Sequence, residues 1–150
     1  PSEETSVICP NNISLDILMI GNSYTASNSL AVRLDGILTD SGEDAQVTTL
    51  TSGGLKLSEH AERAGTPGHS WNTTLQQQYD YVILQDQSQV PGLSIDTEYW
   101  QDSLEGLIYL NQRIDSEGGD TILFMTWAWM NGSWMHPDFT SMQTSVTRGY

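Results

Sequence analysis

The stretch Asp16–Thr25, DILMIGNSYT, constrains the fold more than any other part of the chain. Ile17-Leu18-Met19-Ile20 is a continuous apolar run that reads as a buried strand, and it stops abruptly at Gly21-Asn22-Ser23. After the small polar stretch Ala26, Ser27, Asn28 and Ser29, the residues Leu30, Leu34, Ile37 and Leu38 recur at i, i+4, i+7 and i+8, one face of a helix. Strand, tight polar turn and helix, in that order, present a residue at the carboxyl edge of a doubly wound α/β sheet. Ser23 lies in that turn. A helix amino terminus beside it offers free N–H groups and a positive dipole end to a developing negative charge.

The rest of the chain repeats the alternation. Residues 1–14 are polar and irregular and read as an arm, with one domain over 15–150. Ala45–Thr51 (AQVTTLT) is rich in β-branched residues and reads as a second strand, broken by Ser52-Gly53-Gly54. Leu55–Glu62 reads as a short helix, Gly65–Ser70 as a loop, and Trp71–Gln78 as a helical turn. Tyr81–Leu84 is the third strand, running into the polar string Gln85-Asp86-Gln87-Ser88-Gln89. A long helix from about Glu98, with Trp100, Leu104, Leu107, Ile108 and Ile114 on its apolar face, ends at Gly118-Gly119. Thr121–Trp127 is the fourth strand, and a last helix starts at Pro137-Asp138 with Phe139, Met142, Val146 and Tyr150 on one face. Strands alternating with helices require right-handed crossovers and a largely parallel sheet. The loops after the first three strands all carry small or amide residues, so those strand ends converge on one site.

Composition narrows the partners. Nineteen acidic residues face five basic ones, a net charge of -14, and Lys56 is the only lysine. Such a surface repels nucleic acid phosphates and anionic lipid, so nucleic acid is set aside. No run approaches the ~20 apolar residues of a membrane span. The single cysteine, Cys9, excludes an internal disulfide framework and a cysteine-based zinc site. Sequons stand at Asn12, Asn72 and Asn131. The acidic surface and the lack of a leader ahead of Pro1 lean towards a processed, exported protein.

A serine is a useful nucleophile only when a base takes its proton and donors hold the oxyanion that forms. Ser23 is the candidate nucleophile, Gly54 with Gly53 beside it a candidate backbone donor, and Gln85, Gln87 and Gln89 candidate side-chain donors. Period-two alternation does not choose among the glutamines, because the strand ends around them. Each feature has an ordinary counterpart: a turn serine that bonds locally, a glycine turn, a solvated glutamine loop. Their order along the chain is what gives them weight.

That order resembles the SGNH (GDSL-type) hydrolases, and within them a branch whose first block reads GNS(F/Y)T, here Gly21-Asn22-Ser23-Tyr24-Thr25. Thr51–Leu57 followed by Glu59-His60 stands where the second block would be, Tyr79–Gln89 where the third would be, and Ile122–Trp129 resembles the fourth strand of that branch. The resemblance implies a three-layer αβα sandwich with a flavodoxin-like parallel sheet, about four of whose five strands fall in these residues. It implies ester or acyl hydrolysis with no metal or organic cofactor, on a small-molecule ester or an acylated carbohydrate. Ser23 is then nucleophile and oxyanion donor, Gly54 the second-block donor, and Gln87 or Gln85 stands in for the family's third-block asparagine, which this chain lacks. Asn22 and Gly53 are expected to line the substrate. Trp127 and Trp129 are expected there too, flat faces suited to sugar rings, although core or lid packing is the commoner use of tryptophan.

The family's base is a histidine in an Asp-x-x-His block after a fifth strand, and no such block follows here. His60 comes after the second block, His69 lies in a Gly/Pro loop, and His136-Pro137 has Ser133 where the aspartate would stand. The expectation is therefore that a further ~70–120 residues carry the base, from the usual size of such domains. An unpaired fourth strand would expose an apolar edge to self-association. Two other readings stand beside the esterase: a non-catalytic ligand-binding relative, and a phosphate-binding module, which ranks last for want of a Walker lysine or a Gly-x-Gly-x-x-Gly turn.

Overall fold

The structure is a computed structural model and describes residues 14–150. The expected amino-terminal arm, Cys9 and the Asn12 sequon fall outside the described residues, apart from Ser14. Four strands, β1 (Leu15–Gly21), β2 (Ala45–Thr51), β3 (Tyr81–Leu84) and β4 (Asp120–Leu123), form one sheet in the order β2-β1-β3-β4. Every pairing is parallel. The helices are α1 (Ser23–Ala26), α2 (Leu30–Asp40), α3 (Leu57–Gly65), α4 (Ser70–Thr74), α5 (Glu98–Ser116) and α6 (Phe139–Gly149). This is the expected α/β sandwich, with helices on both faces of a parallel sheet.

The strand order follows from crossover handedness. The chain leaves β1 towards β2 on one side, then returns across the sheet to β3 and on to β4. Right-handed crossovers therefore put α2 on one face and α3, α4 and α5 on the other. Alternation along the strands assigns their side chains accordingly. Leu18, Ile20, Val82 and Leu84 join Leu57, Ala61 and Ala64 of α3 and Leu110 and Ile114 of α5 in the main core. Ile17 and Met19, also buried, point to the opposite face.

Four elements differ from the sequence expectation: in α6 Phe139 of the expected face is 45 % exposed while Met142 and Val146 are buried, and three others differ for packing reasons. Ile37 of α2 is 66 % exposed, while Leu30, Leu34 and Leu38 of the expected face turn partly inward. The helix packs chiefly on β2, an edge strand, which offers room for one narrow stripe. The fourth strand ends at Leu123, not Trp127, because its neighbour β3 ends at Leu84 and the chain there turns away. The buried stripe of α5 is Ser103, Gly106, Leu110 and Ile114, while Leu104 and Ile108 of the expected face are exposed.

Gly106 explains that rotation. A Cβ there would lie 2.7 Å from both Cα and N of Ser58, so α3 and α5 touch backbone to backbone at this position. The tightest contact belongs to a residue that an apolar pattern does not mark. The sequon asparagine Asn72 is likewise built in: it is buried and its Nδ2 donates to Ala64 O at 2.7 Å, whereas Asn131 is exposed.

Alanine is a better helix former than glycine by up to ~1 kcal/mol. The backbone atoms facing Gly106 cannot rotate away, so overpacking prevails. Gly106→Ala is expected to lower stability by ~1–3 kcal/mol, read as a lower urea midpoint with an unchanged slope.

Candidate active site

β1 and β3 are neighbours whose following loops depart in opposite directions, which opens a crevice at their carboxyl ends. The register levels these ends: Gly21 pairs with Thr51, and Ile20 pairs with Leu84. Backbone bonds carry the alignment past the strands, from Ser52 N–H to Gly21 O at 3.1 Å and from Gln85 N–H to Ile20 O at 2.9 Å. The loops bearing Ser23, Gly54 and Gln85–Gln89 therefore start from one level, as expected.

Gln85 fills the bottom of the crevice and is fully buried. Its Oε1 accepts from Asn22 N–H at 2.9 Å and from the Thr25 hydroxyl at 2.8 Å. Its Nε2 donates to Asn22 Oδ1 at 3.0 Å and to Asp86 O. Asn22, 2 % exposed, is equally committed: its Oδ1 also accepts Tyr24 N–H at 3.1 Å, and its Nδ2 donates to Leu55 O at 3.0 Å. Gly21 is required by crowding, since a Cβ would stand 2.2 Å from Thr25 Oγ1 and 2.6 Å from Gln85 Oε1. Asn22 and Gln85 thus hold the turn from beneath, with their amides spent inside the protein rather than turned to a substrate.

Ser23 sits above this clamp as the first residue of α1 and is exposed. Neither its hydroxyl nor its N–H makes a hydrogen bond among the described residues. The helix behind it is one turn long. Asn28 and Ser29, at φ 56° and 53°, break the chain before α2 begins, so the helix expected to start beside the serine is separated from it. Gly54 occupies the third position of a turn closed by Leu55 N–H to Ser52 O, at φ 73°, a left-handed conformation that favours glycine. Its N–H is also unbonded among the described residues, and Gly53 beside it is exposed with open space around it.

Gln87 is held at two points. Its N–H donates to Asp86 Oδ1 at 2.7 Å, and its Oε1 accepts Gln89 N–H at 2.7 Å. Its amide NH2 makes no hydrogen bond among the described residues, so Gln87 and not Gln85 has a donor to spare. Burial pushes the Asp86 carboxyl above the usual carboxylate range, against the pull of bonds from Ser103, Leu57 and its own loop.

An aromatic wall flanks the serine. The ring of Trp127 packs on Tyr24 at 4.5 Å between centroids, and Tyr24 Oη donates to Trp127 O at 3.3 Å. Trp129 anchors its Nε1–H on Ser88 Oγ at 3.2 Å. Both tryptophans keep large faces open, 50 % and 41 % exposed, so neither is core. Tyr24, Thr25 and Asp86 went unmarked in the sequence reading. Position within GNSYT was the available signal for the first two; the acid of the Gln85–Gln89 string was the signal for the third.

The histidines are engaged elsewhere. His60 is fully buried, with its Nδ1 accepting Trp71 Nε1–H at 3.0 Å, and burial lowers its pKa to about 4 with help from Arg63. His69 caps α4 by accepting Trp71 N–H at 3.2 Å. His136 meets Ser133 Oγ through Nδ1 at 3.1 Å. Among the described residues, no group of three or more His, Cys, Asp or Glu side chains is placed to hold a metal, and no helix is long and apolar enough to cross a membrane.

No protein-family model matches the chain, and no curated protein matches it in sequence. Solved structures do. A protein from Slackia heliotrinireducens described as an SGNH hydrolase superposes with a TM-score of 0.73 at 22% identity, covering 91% of this chain and 72% of its own. A DUF4886 family protein from Bacteroides uniformis gives 0.71 at 19% identity, over 91% of this chain and 61% of its own. The psychrotrophic esterase EstA from Pseudoalteromonas sp. gives 0.57 at 15% identity, over 89% and 70%. The chain has the fold of the SGNH hydrolases.

Two outcomes test this architecture. Gln85→Leu removes the acceptor of the Asn22 N–H and of the Thr25 hydroxyl, at ~1–3 kcal/mol for each buried group, and the urea midpoint is expected to fall accordingly. Gln85→Glu sets an oxygen against Asn22 Oδ1 and Asp86 O; burial raises its folded pKa, so its stability deficit should shrink as pH falls and the acid regains a donor. His60 has the opposite sign. It takes up a proton at about 6.5 when unfolded but only at about 4 when folded, so its contribution is full above pH 6.5 and is lost as pH falls from there towards 4. That interval is worth on the order of 3 kcal/mol. Urea midpoints of the parent and His60→Gln chains across it should converge.

Proposed function

We propose that this protein is a serine-dependent ester hydrolase. The observation that carries the proposal is an exposed Ser23 hydroxyl at the sheet's switch point which, like its own N–H and that of Gly54 at the adjoining strand end, makes no hydrogen bond among the described residues. In this mechanism Ser23 Oγ attacks the acyl carbonyl while a histidine takes its proton. The carbonyl oxygen becomes an oxyanion held by the Ser23 and Gly54 N–H groups and the Gln87 NH2. Collapse expels the alcohol and leaves an acyl-serine, which water then hydrolyses. The likeness to an esterase and to a protein described as an SGNH hydrolase supports the reaction class.

The finer proposal is an acylated carbohydrate as substrate. Support comes from the open faces of Trp127 and Trp129, the first packed on the residue that follows the nucleophile. Self-association through β4 belongs to the same proposal, since its outer edge is unpaired among the described residues and Ile122 and Leu123 are exposed beside it. A non-catalytic binding role is the competing reading, favoured by one observation: no histidine bonds Ser23 among the described residues.

Hydrolysis of p-nitrophenyl acetate separates them, measured on the whole gene product, its Ser23→Ala variant and the 150-residue chain. The expected result is turnover by the gene product that falls by about 10⁴–10⁶-fold in Ser23→Ala. Turnover in the 150-residue chain would identify a base within it. Equal rates for the parent and Ser23→Ala would remove the hydrolase reading and leave the binding one.

A further inference from the structure

We propose that Asp86 is a positioning residue for the oxyanion donors, its buried carboxylate fixing the Gly54 loop and the Gln87 amide relative to each other. The inference rests on the hydrolase reading above. Asp86 follows Gln85 at the end of β3 and is 5 % exposed. Its Oδ1 accepts Leu57 N–H at 3.0 Å and Gln87 N–H at 2.7 Å, and its Oδ2 accepts the Ser103 hydroxyl at 2.5 Å.

Those donors belong to three segments, the start of α3, the loop after β3 and the middle of α5, which the one carboxylate ties together. Leu57 opens α3, directly after the loop that carries Gly54, and its N–H is one that a helix start leaves without an intrahelical acceptor. Gln87 carries the spare amide. Ser103 lies on the buried stripe of α5, the longest helix, and anchors the carboxylate from behind. Gln87 is pinned through its backbone by Asp86 and through its side-chain oxygen by Gln89, which leaves its NH2 as the free end. A shift of the carboxylate would therefore move two donors together. Burying a carboxylate is costly, and a purely apolar packing role would not need one; three converging donors are what give it a function here.

The test is a kinetic double-mutant cycle on p-nitrophenyl acetate with Asp86→Ala, Gln87→Ala and the pair, plus Asp86→Asn. Asp86→Ala is expected to lower kcat about 10²-fold, the scale of one lost oxyanion donor, with KM changed less than about 3-fold. Asp86→Asn keeps an oxygen able to accept both N–H groups and should restore kcat to within about 5-fold of the parent. Once Gln87 is already alanine, Asp86→Ala should cost less than about 10-fold more. Fully multiplicative losses, or an Asn variant no better than Ala, would overturn the proposal. If Asp86→Ala does not fold, Asp86→Ser withdraws the carboxylate while keeping a polar group and takes its place.

Amide hydrogen exchange supplies an arm that does not depend on turnover. In the truncated variant the Leu57 and Gln87 amides should lose protection and the Gly54 resonance should shift, while Leu18 and Leu84 keep theirs. Unchanged protection at Leu57 and Gln87 would overturn the proposal whatever the kinetics. Equal turnover by parent and Ser23→Ala would instead remove the hydrolase reading alone, and the exchange arm would still decide whether Asp86 sets the two loops.

Discussion

The site depends on one buried side chain, the amide of Gln85. Two parallel strands whose loops diverge leave backbone groups at their ends that neither strand can satisfy. An amide meets that need because it carries acceptor and donor on one rigid plane. The acceptor end takes Asn22 N–H and the Thr25 hydroxyl, and the donor end reaches Asn22 Oδ1. A carboxylate would bring a charge into the interior and lose the donor, and an apolar side chain would leave the Asn22 N–H and the Thr25 hydroxyl without their acceptor. With the amide in place, the turn bearing Ser23 is fixed from below and its exposed hydroxyl needs no support from the serine itself.

Buried polar groups carry this arrangement through the neighbouring loop as well. Gln85 and Asp86 are consecutive, yet they serve different segments: the amide holds the turn after β1, and the carboxylate gathers α3, the β3 loop and α5. Asn22 joins the two halves by donating to Leu55 O, one residue beyond Gly54. Two of the five basic side chains lie over aromatic faces. Lys56 lies 4.9 Å from the centre of the Tyr99 ring, and Arg63 lies 5.1 Å from that of Trp71. In a chain of net charge -14 these contacts keep positive charge beside the helix that follows the Gly54 loop.

Much of the fold was legible because its signals are local. The apolar runs at Ile17–Ile20 and Tyr81–Leu84, the β-branched run at Ala45–Thr51 and the glycine stops all became the elements they suggested. The misreadings came where the deciding contact was with a distant segment. The face of α5 is set by Gly106 meeting the backbone of Ser58, and the length of β4 by where β3 turns off. The division among the glutamines was illegible for the same reason. Only the positions of Asn22 and Thr25, some sixty residues earlier in the chain, make Gln85 structural and leave the Gln87 NH2 free.

By itself, the sequence determined the parallel α/β class, the order of its strands along the chain and the convergence of three polar loops. Hydrophobic period and turn chemistry act over a few residues and are written in them. Tertiary structure decided which polar side chains face inward. It sent Asn22 and Gln85 beneath the turn, left Ser23 exposed, packed Trp127 against Tyr24 and buried His60 against Trp71. The physical reason is that a polar side chain's role is set by the partners available where it is buried, and those partners come from segments brought together only when the sheet closes.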